Sequence, residues 1–250
     1  MKCVLLGATR GCGLETLHGL YTTGATCHLL ARSHSSASAA LSARGIDPAS
    51  PQIHITVGDA TSPASMRELF TAAGPGVELI FSSIGGAPSF SNPFRPGMFP
   101  EHLCARAMAA LLEVYPEFFP PPAHPRLVVI SSSGLGHQGF ADLPWLLKPL
   151  YGWLLQGVHA DKEEMEKLVH SAAGMQHVDF NPQGSGGGVL EDVVIVRPAF
   201  LTNGERVTGG VRAGERLVAL TVRRTDVGGF VVEKCLRGDE FKNRGVTIGY

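Results

Sequence analysis

The feature that most constrains the fold is a short apolar run that leads directly into a glycine-rich turn. Val4-Leu5-Leu6 precedes Gly7, Gly11 and Gly13, spaced G-x-x-x-G-x-G, and a helix-compatible stretch follows from Leu14. Glycine has no Cβ, so the backbone N–H groups of such a turn can approach phosphate oxygens closely. The start of the following helix adds partial positive charge. The segment predicts a strand–turn–helix unit that holds the pyrophosphate of a dinucleotide.

Apolar runs typical of strands alternate with helix-compatible stretches along the whole chain. The predicted strands are Lys2–Leu6, Thr26–Ala31, Gln52–Val57, Val77–Ser82, Arg126–Ser131, Asp192–Val196 and Gly245–Gly249. The predicted helices are Leu14–Thr23, Pro63–Ala72, Glu101–Tyr115, Ala160–Ala172 and Thr225–Leu236. This alternation predicts a parallel sheet with right-handed crossovers. We therefore expect an α/β fold: a single doubly wound Rossmann sheet with helices on both faces, forming one domain over residues 1–250.

Three segments carry loop signals and are rich in glycine, proline or aromatic residues: 87–100, 134–153 and 176–190. In open α/β sheets, ligands bind beyond the carboxyl ends of the strands. We therefore expect these segments to be substrate loops. Their aromatic side chains suit a small, flat or apolar molecule as substrate.

Composition excludes several classes of function. The 250 residues have a formal net charge of −1 and no run of Lys and Arg, which argues against a dedicated nucleic-acid surface. No apolar run reaches the roughly 20 residues of a membrane span, and the first strand begins at Lys2, which leaves no room for a signal peptide. The five cysteines form no C-x-x-C pair. We expect a reduced, cytoplasmic protein without a metal site.

The end of the second strand indicates which dinucleotide is bound. An acidic residue normally stands there in an NAD site, where it binds the ribose 2′-hydroxyl. Here the strand is followed by Arg32 and Ser33 instead. A guanidinium suits the geometry of a 2′-phosphate, and Arg10 from the glycine turn could assist. The sequence favours NADP over NAD.

Two further strand ends supply candidate contacts. After the third strand, Asp59 can accept a hydrogen bond from the adenine amino group, with Ala60 beside it. After the fourth strand, the backbone of Ser83, Ile84 and Gly85 can approach the cofactor. The candidate cofactor-binding residues at this point are Gly7, Thr9, Arg10, Gly11, Cys12, Gly13, Arg32, Ser33, Asp59, Ala60, Ser83, Ile84 and Gly85.

Beyond the glycine turn, four motifs resemble the short-chain dehydrogenase/reductase superfamily. They span Val129–Gly134, Asp161–Glu166, Val196–Gly204 and Arg224–Val227. The last two most resemble its atypical members, which include the NmrA-like proteins and the flavin reductase/biliverdin reductase B-like group. The resemblance covers nearly the whole chain. The glycine spacing departs from it, because atypical members usually carry G-x-x-G-x-x-G.

The resemblance implies a set of catalytic residues and one departure from it. In typical members a Ser, a Tyr and a Lys act together, with the last two spaced Y-x-x-x-K. Ser132 matches the Ser and Lys162 the Lys, which would bind the nicotinamide ribose; Ser131 and Pro198 would also line the cofactor. The Tyr position holds Val158, which has no proton to give. The usual Ser-Tyr-Lys mechanism is therefore not available.

Two residues are candidates to replace the missing proton donor. His159 precedes Lys162 by about one helical turn, and its ordinary pKa suits proton transfer near neutral pH. Tyr151 lies on the same helical face if the helix is continuous, but about 16 Å further along its axis. Reductases of the flavin/biliverdin-like group dispense with the Tyr, and water or the substrate's own acidic group supplies the proton.

Three functions remain open from the sequence. The first is an NADP-dependent reductase acting on a small aromatic or apolar acceptor, with Ser132 polarising that acceptor. The second is an NmrA-like sensor of the NADP redox state that acts through a partner protein. The third is a non-redox isomerase or cyclase in which His159 is a general acid or base. The predicted helices Glu101–Tyr115 and Ala160–Ala172 could pair subunits in a homodimer.

Overall fold

The computed structural model describes residues 1–89, 97–141, 145, 148, 156–175, 188–207, 210–236 and 238–250. Its strands are β1 (Lys2–Leu6), β2 (Thr26–Ala31), β3 (Ile53–Val57), β4 (Leu79–Ser82), β5 (Ala87–Ser89), β6 (Gly97–Phe99), β7 (Arg126–Ile130), β8 (Val193–Pro198), β9 (Phe200–Thr202), β10 (Arg212–Gly214), β11 (Thr221–Arg223) and β12 (Arg244–Gly249). Its helices are α1 (Gly11–Thr22), α2 (His34–Ala43), α3 (Pro63–Ala73), α4 (Leu103–Phe118), α5 (Gly136–Ala141), α6 (Gln156–Ala173) and α7 (Arg224–Phe230), which a π-helical turn (Val231–Cys235) continues.

Eight of these strands form one central sheet in the order β10-β12-β8-β7-β4-β1-β2-β3. All neighbours in it are parallel except the edge strand β10, which runs antiparallel to β12. The chain first builds outward from β1 to β3 and then restarts on the other side of β1 with β4. This reversal leaves a crevice at the carboxyl ends of β1 and β4, where doubly wound sheets bind ligands.

The side chains of the central strands alternate between two apolar cores. Leu5, Leu29 and Phe81 pack on the face covered by α1, α2 and α7, with residues such as Leu17 and Val227. The intervening strand residues pack on the other face with α3, α4 and α6; they include Val4, Leu6, Ile80, Val129 and Ile195. Strands buried on both faces and helices on both faces confirm the predicted doubly wound α/β fold.

Helix α2 was not predicted from the sequence. Its ten residues, HSSASAALSA, give little apolar periodicity, and only Ala37 and Leu41 are buried. Its start is set by Ser33, whose hydroxyl accepts a hydrogen bond from the Ser36 N–H at 3.4 Å. Helix α2 lies in the crossover between β2 and β3, so it places the end of β2 beside a helix N-terminus.

The prediction that three segments are loops throughout was wrong for two of them. Within 87–100, β5 and β6 pair as an antiparallel ladder, and within 134–153 residues Gly136–Ala141 form α5. Most of the third segment lies outside the described residues. The short parallel pair of β9 and β11 was also not predicted. Among the described residues, no helix is both long enough and apolar enough to cross a membrane.

Candidate cofactor and active site

The turn between β1 and α1 is built so tightly that its glycines cannot be replaced without strain. Gly7 and Gly11 have positive φ angles of 73° and 55°. A Cβ on Gly7 would lie 2.6 Å from the carbonyl oxygen of Ser83, and one on Gly13 would overlap the carbonyl oxygen of Gly7. The turn therefore packs against the end of β4, while Thr9 and Gly11 remain partly exposed.

The first turn of α1 has N–H groups available for an anion. Arg10 stands at the N-cap position with an extended backbone and forms no side-chain cap, and no acidic residue lies in the first turn. The Cys12 thiol is buried, so this residue can present only its backbone N–H. Uncapped N–H groups and the helix dipole together fit a phosphate group. The residues present therefore fit the pyrophosphate of a nicotinamide dinucleotide, with Thr9 half-buried in the same turn.

Arg10 and Arg32 occupy different parts of this site. Arg10 reaches across the crevice, where its Nη2 donates to the carbonyl oxygen of Gly85 at 2.6 Å. Arg32 is exposed at the end of β2, next to Ser33 at the start of α2. Of these two arginines, Arg32 is thus the one that lies exposed at the end of β2.

Asp59 lies at the end of β3 and is held in place by its own loop. Its carboxylate accepts hydrogen bonds from the N–H of Thr61 at 2.8 Å and from the Thr61 hydroxyl at 2.9 Å. The Thr61 N–H is the main cause that lowers the pKa of Asp59, and the charges of Arg106 and Arg32 lower it further. Ala60 packs against the core beside it. Arg106, an exposed residue of α4, is therefore a positive charge near this site that the sequence did not single out.

Lys162 joins the ends of two strands on the other side of the crevice. Its side chain is buried, and Nζ donates to the carbonyl oxygens of Ile84 at 2.8 Å and Ile130 at 2.7 Å. The preceding residue, Asp161, accepts from the N–H groups of Cys104 and Ala105 at 2.9 Å each, which caps the start of α4. Within the charged run of α6, Asp161, Lys162 and Glu166 are therefore buried, whereas Glu164 and Lys167 remain exposed.

Ser132 and His159 lie beside each other in the structure. The sequence alone could not establish this contact. The Ser132 hydroxyl donates to the carbonyl oxygen of Ser133 at 3.2 Å and lies 3.4 Å from Nε2 of His159. Burial lowers the pKa of His159 to about 4, so the ring is neutral near pH 7. The expectation of a near-neutral pKa for His159 was therefore wrong. If the Ser132 hydroxyl donates to Ser133, a hydrogen bond with His159 requires the ring tautomer that carries its proton on Nε2.

The neighbouring serines and Pro198 complete this corner of the site. Among the described residues, the hydroxyl oxygens of Ser131 and Ser133 are buried without a hydrogen-bond partner. The N–H of Ser133 donates to the carbonyl oxygen of Pro198 at 2.9 Å, which brings the end of β8 beside the serine run. Tyr151, the other candidate proton donor, lies outside the described residues. Across the described part of the chain, no group of three or more His, Cys, Asp or Glu side chains could hold a metal ion.

Comparisons with known proteins agree with this geometry. The model of a family described as NAD(P)H-binding matches residues 7–237. Reductase pytE from Aspergillus terreus is 30% identical over 261 residues, covering 98% of this chain and 96% of that protein. Oxidase pynE from Aspergillus niger is 30% identical over 283 residues, covering 97% of this chain and 96% of that protein.

A solved structure shares the fold at lower sequence identity. ChuY, an anaerobillin reductase from Escherichia coli O157:H7, superposes with a TM-score of 0.67 at 19% identity, covering 100% of this chain and 97% of ChuY. The oxidoreductase ylbE from Lactococcus lactis superposes with a TM-score of 0.62 at 16% identity, covering 100% of this chain and 90% of ylbE. The family model and the two relatives at 30% identity show that the chain belongs to the NAD(P)H-binding family, and the solved structures show that it shares their fold.

Proposed function

We propose that this chain is an NADPH-dependent reductase that transfers hydride to a small aromatic or apolar acceptor. The observation that carries the proposal is the grouping of two features at one edge of the sheet. The open glycine cradle follows β1, while Lys162, Ser132 and His159 meet at the ends of β4 and β7. The relatives named as a reductase and an oxidase support redox chemistry.

The cradle side of the site would bind the cofactor. Bound NADPH supplies a hydride from its reduced nicotinamide ring. The backbone around Gly7, Gly11 and Gly13 would hold the pyrophosphate, and Asp59 and Ala60 would contact the adenine. The remaining contacts in this proposal come from Thr9, Arg10, Cys12, Arg32, Ser33, Ser83, Ile84, Gly85, Ser131, Lys162 and Pro198.

NADPH is preferred over NADH in this proposal because of the charge at the end of β2. Arg32 is exposed there, and no carboxylate takes the place of the residue that would accept from a ribose 2′-hydroxyl. Ser33 caps α2 with its hydroxyl, so the start of α2 adds further positive potential at the same point. A 2′-phosphate would meet favourable charge here, whereas a 2′-hydroxyl would gain little.

Ser132 would polarise the acceptor during hydride transfer. With His159 donating to the Ser132 oxygen, the hydroxyl hydrogen of Ser132 can turn from Ser133 to an acceptor oxygen that gains negative charge. His159 is neutral and holds no spare acidic proton near pH 7. The proton that completes the reduction therefore comes from water or from an acidic group of the substrate.

The proposal is tested by following the loss of NADPH absorbance with a panel of acceptors: aromatic enones, quinones, flavins and tetrapyrroles. We expect oxidation of NADPH that depends on one acceptor class and is slowed in Ser132→Ala. Tight binding of NADPH without oxidation by any of these classes would contradict a reductase. It would instead favour the NADP-binding sensor.

A further inference from the structure

Besides Arg10 and Arg32, a further arginine, Arg224, lies over the start of α1. The motif that contains Arg224 gave no indication of this position. A Cβ built on Gly11 would come within 3.8 Å of both Cδ and Nε of Arg224. The side chain is half-buried at the first residue of α7. The guanidinium therefore sits beside the same helix N-terminus that the glycine turn leaves open.

Electrostatics agree with this placement. Burial raises the pKa of the Cys12 thiol to about 12, and the strongest opposing effect is the charge of Arg224. Within the described residues no carboxylate lies within ion-pair distance of Arg224, and α1 has no acidic residue in its first turn. An uncompensated guanidinium and an uncapped helix start thus face one small region. Both favour an anion there.

The guanidinium of Arg224 is held through only one of its nitrogen atoms among the described contacts. Its Nη1 donates to Oδ1 of Asn203 at 2.7 Å and, at 3.5 Å, to the carbonyl oxygen of Leu201. In the described part of the chain, Nε and Nη2 have no hydrogen-bond acceptor. A guanidinium held by one nitrogen keeps two parallel N–H donors available, which is the geometry that grips a phosphate group.

Asn203 itself belongs to a strap, residues 203–207, that residues 223–226 hold at successive points. The contacts are Arg223 Nη1 to the Glu205 carbonyl oxygen at 2.6 Å, Thr225 Oγ1 to the Gly204 carbonyl oxygen at 2.9 Å, and the Val207 N–H to Asp226 Oδ1 at 3.1 Å. Asp226 is buried and also accepts from the hydroxyl of Tyr250 at 2.5 Å. The strap is therefore a firm support for the Asn203 amide.

We propose that Arg224 binds the cofactor pyrophosphate against the start of α1, with Asn203 as its positioning residue. The assignment rests on the nicotinamide site proposed above, but it does not depend on hydride transfer. It separates two arginines by the phosphate that each one reads. Arg224 contacts the pyrophosphate that NADPH and NADH share, whereas Arg32 contacts the 2′-phosphate that only NADPH carries.

The test measures dissociation constants by calorimetry for NADPH, NADH and adenosine 2′-monophosphate, which lacks a pyrophosphate. Loss of a charge-assisted contact gives about a ten- to hundredfold effect. Arg224→Gln should weaken the binding of NADPH and of NADH by the same factor in this range, and it should leave the binding of adenosine 2′-monophosphate unchanged. Arg32→Ala should weaken NADPH and adenosine 2′-monophosphate and spare NADH. Asn203→Ala should weaken both dinucleotides by a smaller factor.

Arg244→Gln is the matched control, because Arg244 is an exposed arginine of β12 that pairs with Glu215 and does not approach Gly11. It should bind NADPH within about twofold of wild type. If Arg224→Gln does not fold, Arg224→Lys keeps the charge without the paired donors and should still weaken both dinucleotides. Thermal unfolding without cofactor reports whether each variant is folded.

Two results would overturn the assignment of Arg224. One is binding of NADPH and NADH by the folded Arg224 variants within about twofold of wild type. The other is an equal loss of adenosine 2′-monophosphate binding. A wild-type protein that binds neither dinucleotide would overturn the nicotinamide site together with this assignment. Binding without reduction of any acceptor would contradict only hydride transfer.

Discussion

Arg32 is the residue on which the choice between the two nicotinamide cofactors depends. Replacing it with alanine removes the exposed charge at the end of β2. We expect Arg32→Ala to raise the KM for NADPH about tenfold or more, the loss of one charge-assisted contact, with the KM for NADH within twofold. Arg244→Ala is the control, since Arg244 is an exposed residue of the distant strand β12 paired with Glu215. An unchanged ratio of the two KM values would remove the case for NADPH.

Ser132 is expected to act on the acceptor and not on the cofactor. Its hydroxyl lies between Ser133 and His159, and among the described residues no hydrogen bond joins it to the glycine turn. Ser132→Ala should lower kcat by about a hundred- to a thousandfold, the range for losing one oxyanion donor. Steady-state kinetics combined with an NADPH titration separates the two effects. Full activity in Ser132→Ala, or a loss confined to NADPH affinity, would show that the serine has another role.

His159 predicts a specific dependence of stability on pH. Its pKa is about 4 in the folded protein and about 6.5 when unfolded, so the unfolded chain binds the extra proton first as the pH falls. The contribution of the neutral His159 to the free energy of unfolding is therefore full above about pH 6.5 and is lost progressively as the pH falls from about 6.5 to 4. Thermal unfolding of wild type and His159→Gln across this range should therefore converge at low pH. Parallel curves would contradict a buried neutral histidine.

The role of a single residue could be predicted from the sequence where it depends on the local backbone. It could not be predicted where it depends on a contact with a residue from a distant segment of the chain. The glycines of the first turn are needed by the backbone path itself, so their spacing predicted the cradle. Ser132 and Lys162 were identified through motifs. The contact of Ser132 with His159, and the position of Arg224 over Gly11, join segments far apart in sequence. Such contacts leave no periodic or spacing signal.

At the level of elements, a buried ion pair fixes α6 against the sheet. Glu166 is fully buried, and it accepts from Arg197 of β8 through Nε at 3.1 Å and Nη2 at 2.6 Å. Glu166 follows Lys162 by about one helical turn, so the pair also sets how α6 presents Lys162 to the strand ends. The ion pair therefore fixes α6 to the carboxyl-terminal part of β8.

We expect Glu166→Gln to lower the free energy of unfolding by roughly 3–5 kcal/mol, because it removes the buried charge that compensates the largely buried guanidinium of Arg197. Chemical denaturation measures the change. Glu113→Gln is the matched control, since Glu113 contacts Arg67 in an exposed pair that should contribute far less. Equal and small effects in both variants would mean that the buried pair does not hold α6.

Elements were predictable in proportion to their apolar content. The seven predicted strands and five predicted helices correspond to elements of the structure, with ends that differ by a few residues. Helix α2 was missed because its serines and alanines bury only two side chains. The strands β9 and β11 have three residues each, too few for a period to show. Pairing of β5 with β6 depends on a partner and not on local pattern.

For the whole molecule, the order of the strands explains why one edge of the sheet carries the chemistry. The reversal at β1 and β4 opens a crevice into which the glycine turn, Arg32, Asp59 and Ile84 all lead. The alternation of strands and helices predicted the fold class. Strand order followed from the general rule for such folds and not from any residue pattern, because periodicity carries no information on which strands are neighbours.

The central claim is that this edge delivers a hydride from NADPH to a small acceptor. The most direct measurement uses NADPH that carries deuterium at both C4 positions of the nicotinamide, with aromatic enones and ketones whose reduction forms a stable C–D bond. Mass spectrometry of the product should show one deuterium gained, and Ser132→Ala should slow its appearance. Retention of all the label in NADPH, although the protein binds it, would contradict the account.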